Sequence, residues 1–179
     1  MGSLPSRFLA PAILGLLVLL GGCEAPEPAQ VKLAKADVLP LDIDPAFAFR
    51  KETQFLNDPA TVPKGGPYNE AIDFERRAHM WPATTRLDQD ALKGCYHTLC
   101  WRNLGAPADV TVRLEYRQAN LGNFVMAREK TYPAAKGSHS TLFTVTGDDY
   151  LENGPITNWR ALLIVNGRIV ALTQSYLWR

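Results

Sequence analysis

The stretch that most restricts this chain is "WRALLIVNGRIVALTQ", residues 159–174. Asn166-Gly167 supplies two residues that tolerate positive φ, as a type I′ hairpin turn requires, and apolar runs flank it on both sides. The spacing predicts a hairpin pairing about 157–165 with 168–177, with Val165 opposite Arg168, Leu163 opposite Val170 and Ala161 opposite Leu172. Both runs are apolar on both faces, the pattern of central strands in a covered sheet.

Further strands are spaced closely upstream. In "DVTVRLEY" (109–116), Val110, Val112, Leu114 and Tyr116 share one face, and Thr111, Arg113 and Glu115 the other. "NFVMAREKTY" (123–132), "HSTLFTVTG" (139–147), "GCYHTLCWRNLG" (94–105) and "AFAFRKETQF" (46–55) have strand composition. The expected fold is therefore all-β, an antiparallel, immunoglobulin-like β-sandwich of six to eight strands over 46–179. The antibody-type pair of distant cysteines around a Trp is missing. The region 68–93 interrupts the pattern. "YNEAIDFERRAHM" reads as a short helix with Ala71, Ile72, Glu75 and Ala78 on one side, or as a strand through Ala71 and Asp73. "RLDQDALKG" reads as one helical turn stopped at Gly94.

The N-terminal segment has a different character. Phe8 to Leu20 is nearly all apolar, follows the single basic residue Arg7, and is shorter than the roughly 20 residues a membrane-spanning helix needs. Basic start, apolar core and small residues are the order of a secretory signal. Leu20-Gly21-Gly22-Cys23 resembles the lipobox of bacterial lipoproteins. The resemblance covers residues 1–23 only. It implies removal of a signal peptide (1–22), lipidation of Cys23 and attachment to a membrane of the bacterial envelope. Glu24, where an Asp would imply inner-membrane retention, implies the outer membrane, with the domain in the periplasm. More than one acyl chain is needed for firm anchoring, since one alone holds marginally. Residues 23–45, with Pro26, Pro28, Pro40 and Pro45, then read as a lipidated N-terminus and flexible tether. Leu39, Leu41 and Ile43 alternate with Pro and Asp, in the manner of an edge strand.

Only Arg7 of the 19 Lys and Arg and 18 Asp and Glu lies before Cys23, so the rest of the chain is charge-balanced. That offers no footprint for nucleic acid and no polybasic patch for lipid. Cys95 and Cys100 leave two main outcomes open. Export favours a disulfide. Five strand residues, however, span about 16 Å, against the roughly 7 Å a disulfide allows, so the bond needs a turn at 96–99. Two buried thiols are the other outcome, ahead of intermolecular pairing or ligand binding. Cys95, His97 and Cys100 match no zinc spacing, and no cofactor is expected. Ser138-His139-Ser140 reads as turn chemistry, as do Asp42/Asp44 and Asp148-Asp149. Trp81, Trp101, Trp159 and Trp178 serve a core, or else form a ligand or partner surface. With no catalytic set after position 30, the expected function is non-catalytic: a lipid-anchored subunit or scaffold that binds another envelope protein. A lipoprotein that binds carbohydrate or a small ligand through exposed tryptophans is the alternative.

Overall fold

Six strands and three short α-helices make up the computed structural model, which describes residues 27–61 and 70–178. The signal segment 1–22 and Cys23 lie outside the described residues. The strands are β1 (Val31–Leu33), β2 (Phe47–Asn57), β3 (Gly94–Gln118), β4 (Met126–Thr146), β5 (Ile156–Val165) and β6 (Arg168–Gln174). The helices are α1 (Glu70–Met80), α2 (Arg86–Leu92) and α3 (Asp148–Asn153). The sheet is antiparallel, in the order β1-β4-β3-β5-β6, with β2 also on β3. The domain is thus all-β and sandwich-like, as its alternating patterns imply.

What makes two layers out of one sheet is the length of β3 and β4. The separate segments expected at 94–105 and 109–116 are one strand, as are those at 123–132 and 139–147. Their pairing shifts register between Asn103 and Ala108 and again before Val110. Pro107 and Pro133, which cannot donate to a ladder, sit in this zone, and Ala134 and Gly137 have positive φ. Buried Asn103 pins the bend. Its amide donates to the carbonyls of Ala106 (2.8 Å) and Ala135 (2.9 Å), and its Oδ1 accepts from Gly105 N–H (2.8 Å). On one side of the bend β2 and the end of β4 flank β3; on the other, β5 and the start of β4 do. Leu99, Trp101, Phe143 and Val145 from the first part then share a core with Val112, Leu114, Tyr116, Ala161 and Leu163 from the second.

The Asn-Gly hairpin forms, with Asn166 at φ 50° and Gly167 at φ 72°. Val165 pairs with Arg168 as expected, but Leu163 meets Ala171 and Ala161 meets Thr173. One extra residue, Val170, opposes the Leu163–Ile164 step, and this bulge turns both Val170 and Ala171 toward the core. β5 is interior. β6 ends the strand order, and its free edge is taken in part by residues 40–44. Asp42 N–H donates to Ile169 O, Ile169 N–H to Pro40 O and Asp44 N–H to Val170 O. This is an isolated parallel bridge at Leu41, not a strand.

Within 68–93 the described residues form α1 and α2, joined by a non-helical link at 81–85. Thr85 caps α2, its hydroxyl accepting from Asp88 N–H while the Asp88 carboxylate accepts from Thr85 N–H. α3 occupies Asp148–Asn153, where a simple turn was expected. Buried Gln118 fixes it by donating to the carbonyls of Asp149 and Gly154.

The part of the expected tether that is described, 27–45, is fastened to the sheet. β1 pairs with residues 127–129 of β4. Gln30 makes a reciprocal pair with Thr144, its Nε2 donating to the carbonyl and its Oε1 accepting the N–H. Composition suggested a solvated chain; the open edge of β4 supplies the hydrogen bonds that hold it instead.

Candidate functional site

The outer face of β3 carries charge where a core face would carry leucine, and Arg160 of β5 joins it beside Leu162. Arg113, Glu115 and Arg117 alternate along β3 with the core residues, and Glu115 lies opposite Arg160 of β5 and Ala127 of β4. Glu115 and Arg113 are buried. Glu115 accepts from Arg160 Nε (3.0 Å) and Nη2, and lies 3.7 Å from Arg113 Nη1. Arg113 also bonds Glu129 and donates to the carbonyl of Asp37 (2.9 Å). Buried charges are tolerated when each has such partners.

Over these charges lies a groove of about 630 Å³. Its walls are the strap Ala34–Leu39 on one side and Phe124, Val125 and Trp178 on the other, and Glu115, Arg117 and Arg160 contribute its floor. The Trp178 ring holds both guanidinium groups, with Arg117 Cζ 4.8 Å and Arg160 Cζ 5.2 Å from its centroid. Phe124, Val38 and Leu177 are more than half exposed around it, and Tyr176 is almost wholly so. The volume suits a short peptide or small molecule. Aromatic and arginine side chains together are the composition of binding hot spots.

The four tryptophans do not form a surface row. Trp101, Trp159 and Trp178 are 0%, 5% and 9% exposed, and only Trp81, after α1, stands out at 82%. Trp101 donates to Thr141 Oγ1 and stacks on His139. Trp178 alone reaches the groove. Of the two readings open for the tryptophans, Trp101 and Trp159 take the core one, because the inner faces of the bent sheet need large apolar side chains.

Cys95 and Cys100 are free thiols. Residues 95–100 are one continuous extended run paired to β2 and β4 on its two sides, so the turn a disulfide needs does not form. Cys95 and His97 face the core and Cys100 the opposite side, next to Ser140 and Lys51, so the three are not gathered for a metal. Among the described residues no group of three or more His, Cys, Asp or Glu is placed to hold one. Asp149 instead pairs with Lys32 and Arg128, and Asp42 with Arg168.

Cys95 and His97 line a small cavity of about 180 Å³ with Gln54 and Ile156. His97 is 1% exposed and packs edge-on against Trp159, its ring centroid 4.4 Å away; neither ring nitrogen has a hydrogen-bond partner among protein atoms. Burial pulls its pKa down to about 4 and pushes the Cys95 thiol up. Both groups are thus held neutral, the reverse of the thiolate–imidazolium pair of an activated cysteine. His79 lies between Phe55 and Tyr96, and His139 on Trp101.

Sequence reasoning did not find the groove. The signal it had was charge on the outer face of "RLEYRQ", opposite an apolar strand. The strap, the 124–125 turn and the C-terminal Trp come from distant parts of the chain. Comparison with protein-family models, with curated proteins and with solved structures finds no match to this chain. No helix among the described residues is long and apolar enough to cross a membrane.

Proposed function

We propose that this chain is a lipid-anchored protein of the bacterial envelope, held by acyl chains on Cys23, whose domain binds another envelope protein as a non-catalytic subunit. The groove supports the reading: an apolar rim open to solvent, over arginines fixed in place by a buried carboxylate and a tryptophan. Such preorganised anchors lose little freedom on binding. The lipobox-like Leu20-Gly21-Gly22-Cys23 supports the anchor. The alternative, a lipoprotein that binds carbohydrate or a small ligand, lost its exposed tryptophan row; the groove's volume suits a small ligand as well, but its exposed apolar rim favours a protein partner.

Crosslinking in intact cells, followed by recovery from detergent-solubilised membranes, tests this. A defined partner band is expected that weakens at least about tenfold, an interface hot-spot effect, with Phe124→Asp or Arg117→Glu. The band is expected to persist with Lys51→Glu, on the exposed part of β2. Recovery of the protein alone at every crosslinker dose would count against a partner.

A further inference from the structure

The same residues that fasten the N-terminal segment set how far the domain can stand from its membrane. Glu27 is the first of them. Its Oε1 accepts from Lys130 Nζ (2.8 Å) on one arm of β4 and from the backbone N–H of Leu142 (2.9 Å) on the other. Gln30 then clasps Thr144 through both of its amide atoms, at 3.1 and 2.9 Å, and Lys32 meets Asp149 at 2.6 Å. The Glu27 and Gln30 contacts lie along the edge of β4 that β3 leaves free, and Lys32 reaches α3 just past its end. Only residues 24–26 separate Glu27 from Cys23. Four Cα–Cα steps reach at most about 15 Å, less than the width of a domain this size. A tether free to residue 45 would reach several times further.

Resting on the lipid-anchor reading above, we infer that the β4 edge, with Ser140, Leu142 and Thr144 beside Glu27, lies against the phospholipid headgroups of the leaflet that holds the anchor. The domain rides on the bilayer instead of standing off on a leash. The groove floor, on β3 and β5, is one and two strands further from that edge, and β6 is three strands away, about 14 Å at the usual spacing. Glu27 neutralises Lys130 at the edge, so the short leash, and not net charge, holds the contact.

Full-length protein purified from membranes provides the test. Mass spectrometry first establishes whether Cys23 carries lipid; a bare thiol would overturn the anchor reading itself, and this inference with it. The lipidated protein is placed in vesicles of phosphatidylethanolamine and phosphatidylglycerol, three to one, containing a phospholipid with a diazirine on its headgroup. After photolysis, label is expected several-fold denser on peptides covering 27–32 and 138–146 than on 164–174, and unchanged in high salt. Even labelling, or label concentrated on 164–174, with Cys23 lipidated, overturns the orientation while leaving the anchor intact. A long Gly/Ser spacer inserted between Ala25 and Pro26 should lower labelling of 138–146 several-fold; undiminished labelling would show that the leash does not set the contact.

Discussion

The folded-over pair β3–β4 and the N-terminal segment 27–44 are held by opposite means. The first buries Trp101, Leu99, Val112, Leu114 and Phe143 completely and is stabilised by removal of apolar surface from water. The second buries almost nothing: Val38 is fully exposed and Val31, Leu41 and Ile43 more than half. It is held by single hydrogen bonds and ion pairs, each contributing about 1 kcal/mol or less at a solvated surface. The contrast teaches that the segment can be released without unfolding the domain, whereas no part of the double layer can. Attachment of the N-terminal segment and stability of the fold are thereby built from separable interactions.

That separation can be broken or sharpened experimentally. Deleting 170–179 removes most of β6 and Trp178, and should abolish the cooperative thermal transition; an unchanged melting curve would contradict the role given to the hairpin. Trp101→Ala leaves a large void between the layers and should cost about 3–5 kcal/mol in denaturant unfolding. His97 sharpens the comparison by pH. Its folded pKa of about 4 lies below the 6.5 of an exposed imidazole. The unfolded chain therefore binds the extra proton between those values. The stabilisation from keeping His97 neutral is full above pH 6.5 and declines as pH falls toward 4, by about 3 kcal/mol in total. Urea unfolding across that range should show the slope in wild type and lose most of it in His97→Leu. The smallest global effect belongs to Glu27→Ala combined with Gln30→Ala. The pair makes four hydrogen bonds, one of them an ion pair, and at about 0.5 kcal/mol each on a solvated edge they should contribute about 2 kcal/mol together. Yet amide exchange at Leu142 and Thr144, whose N–H groups lose their acceptors, should accelerate while exchange at Leu114 and Leu163 stays slow.

Local chemistry made some of the fold legible. Asn166-Gly167 fixes its hairpin within a few residues, and alternation in 109–116 assigned the core face correctly. The register beyond Leu163 was not legible, because the Val170 bulge answers to the core and to the 40–44 segment lying alongside. Nor was the fusion of four short strands into two long ones. Gly105, Pro107, Pro133 and Gly137 look like strand ends in one dimension, and only the continuous β3–β4 pairing turns them into a bend. The candidate site was less legible still. Trp178 was singled out as core or partner surface and lines the groove, but Arg117, Arg160, Phe124 and the 34–39 strap, which converge there from four separate stretches, were not. Cys95 and Cys100, ambiguous on spacing alone, are decided by the extended run between them.

From its residues alone this chain specified an all-β, antiparallel, sandwich-like domain. Period-two alternation and a two-residue turn act over a few bonds and so can be read where they stand. Tertiary structure alone decided which strands were continuous, which charges became buried partners, and that the proline-rich segment binds the sheet instead of leaving it. Those outcomes depend on unpaired backbone edges and apolar faces meeting across more than a hundred residues, and no local pattern encodes which edge will be left open.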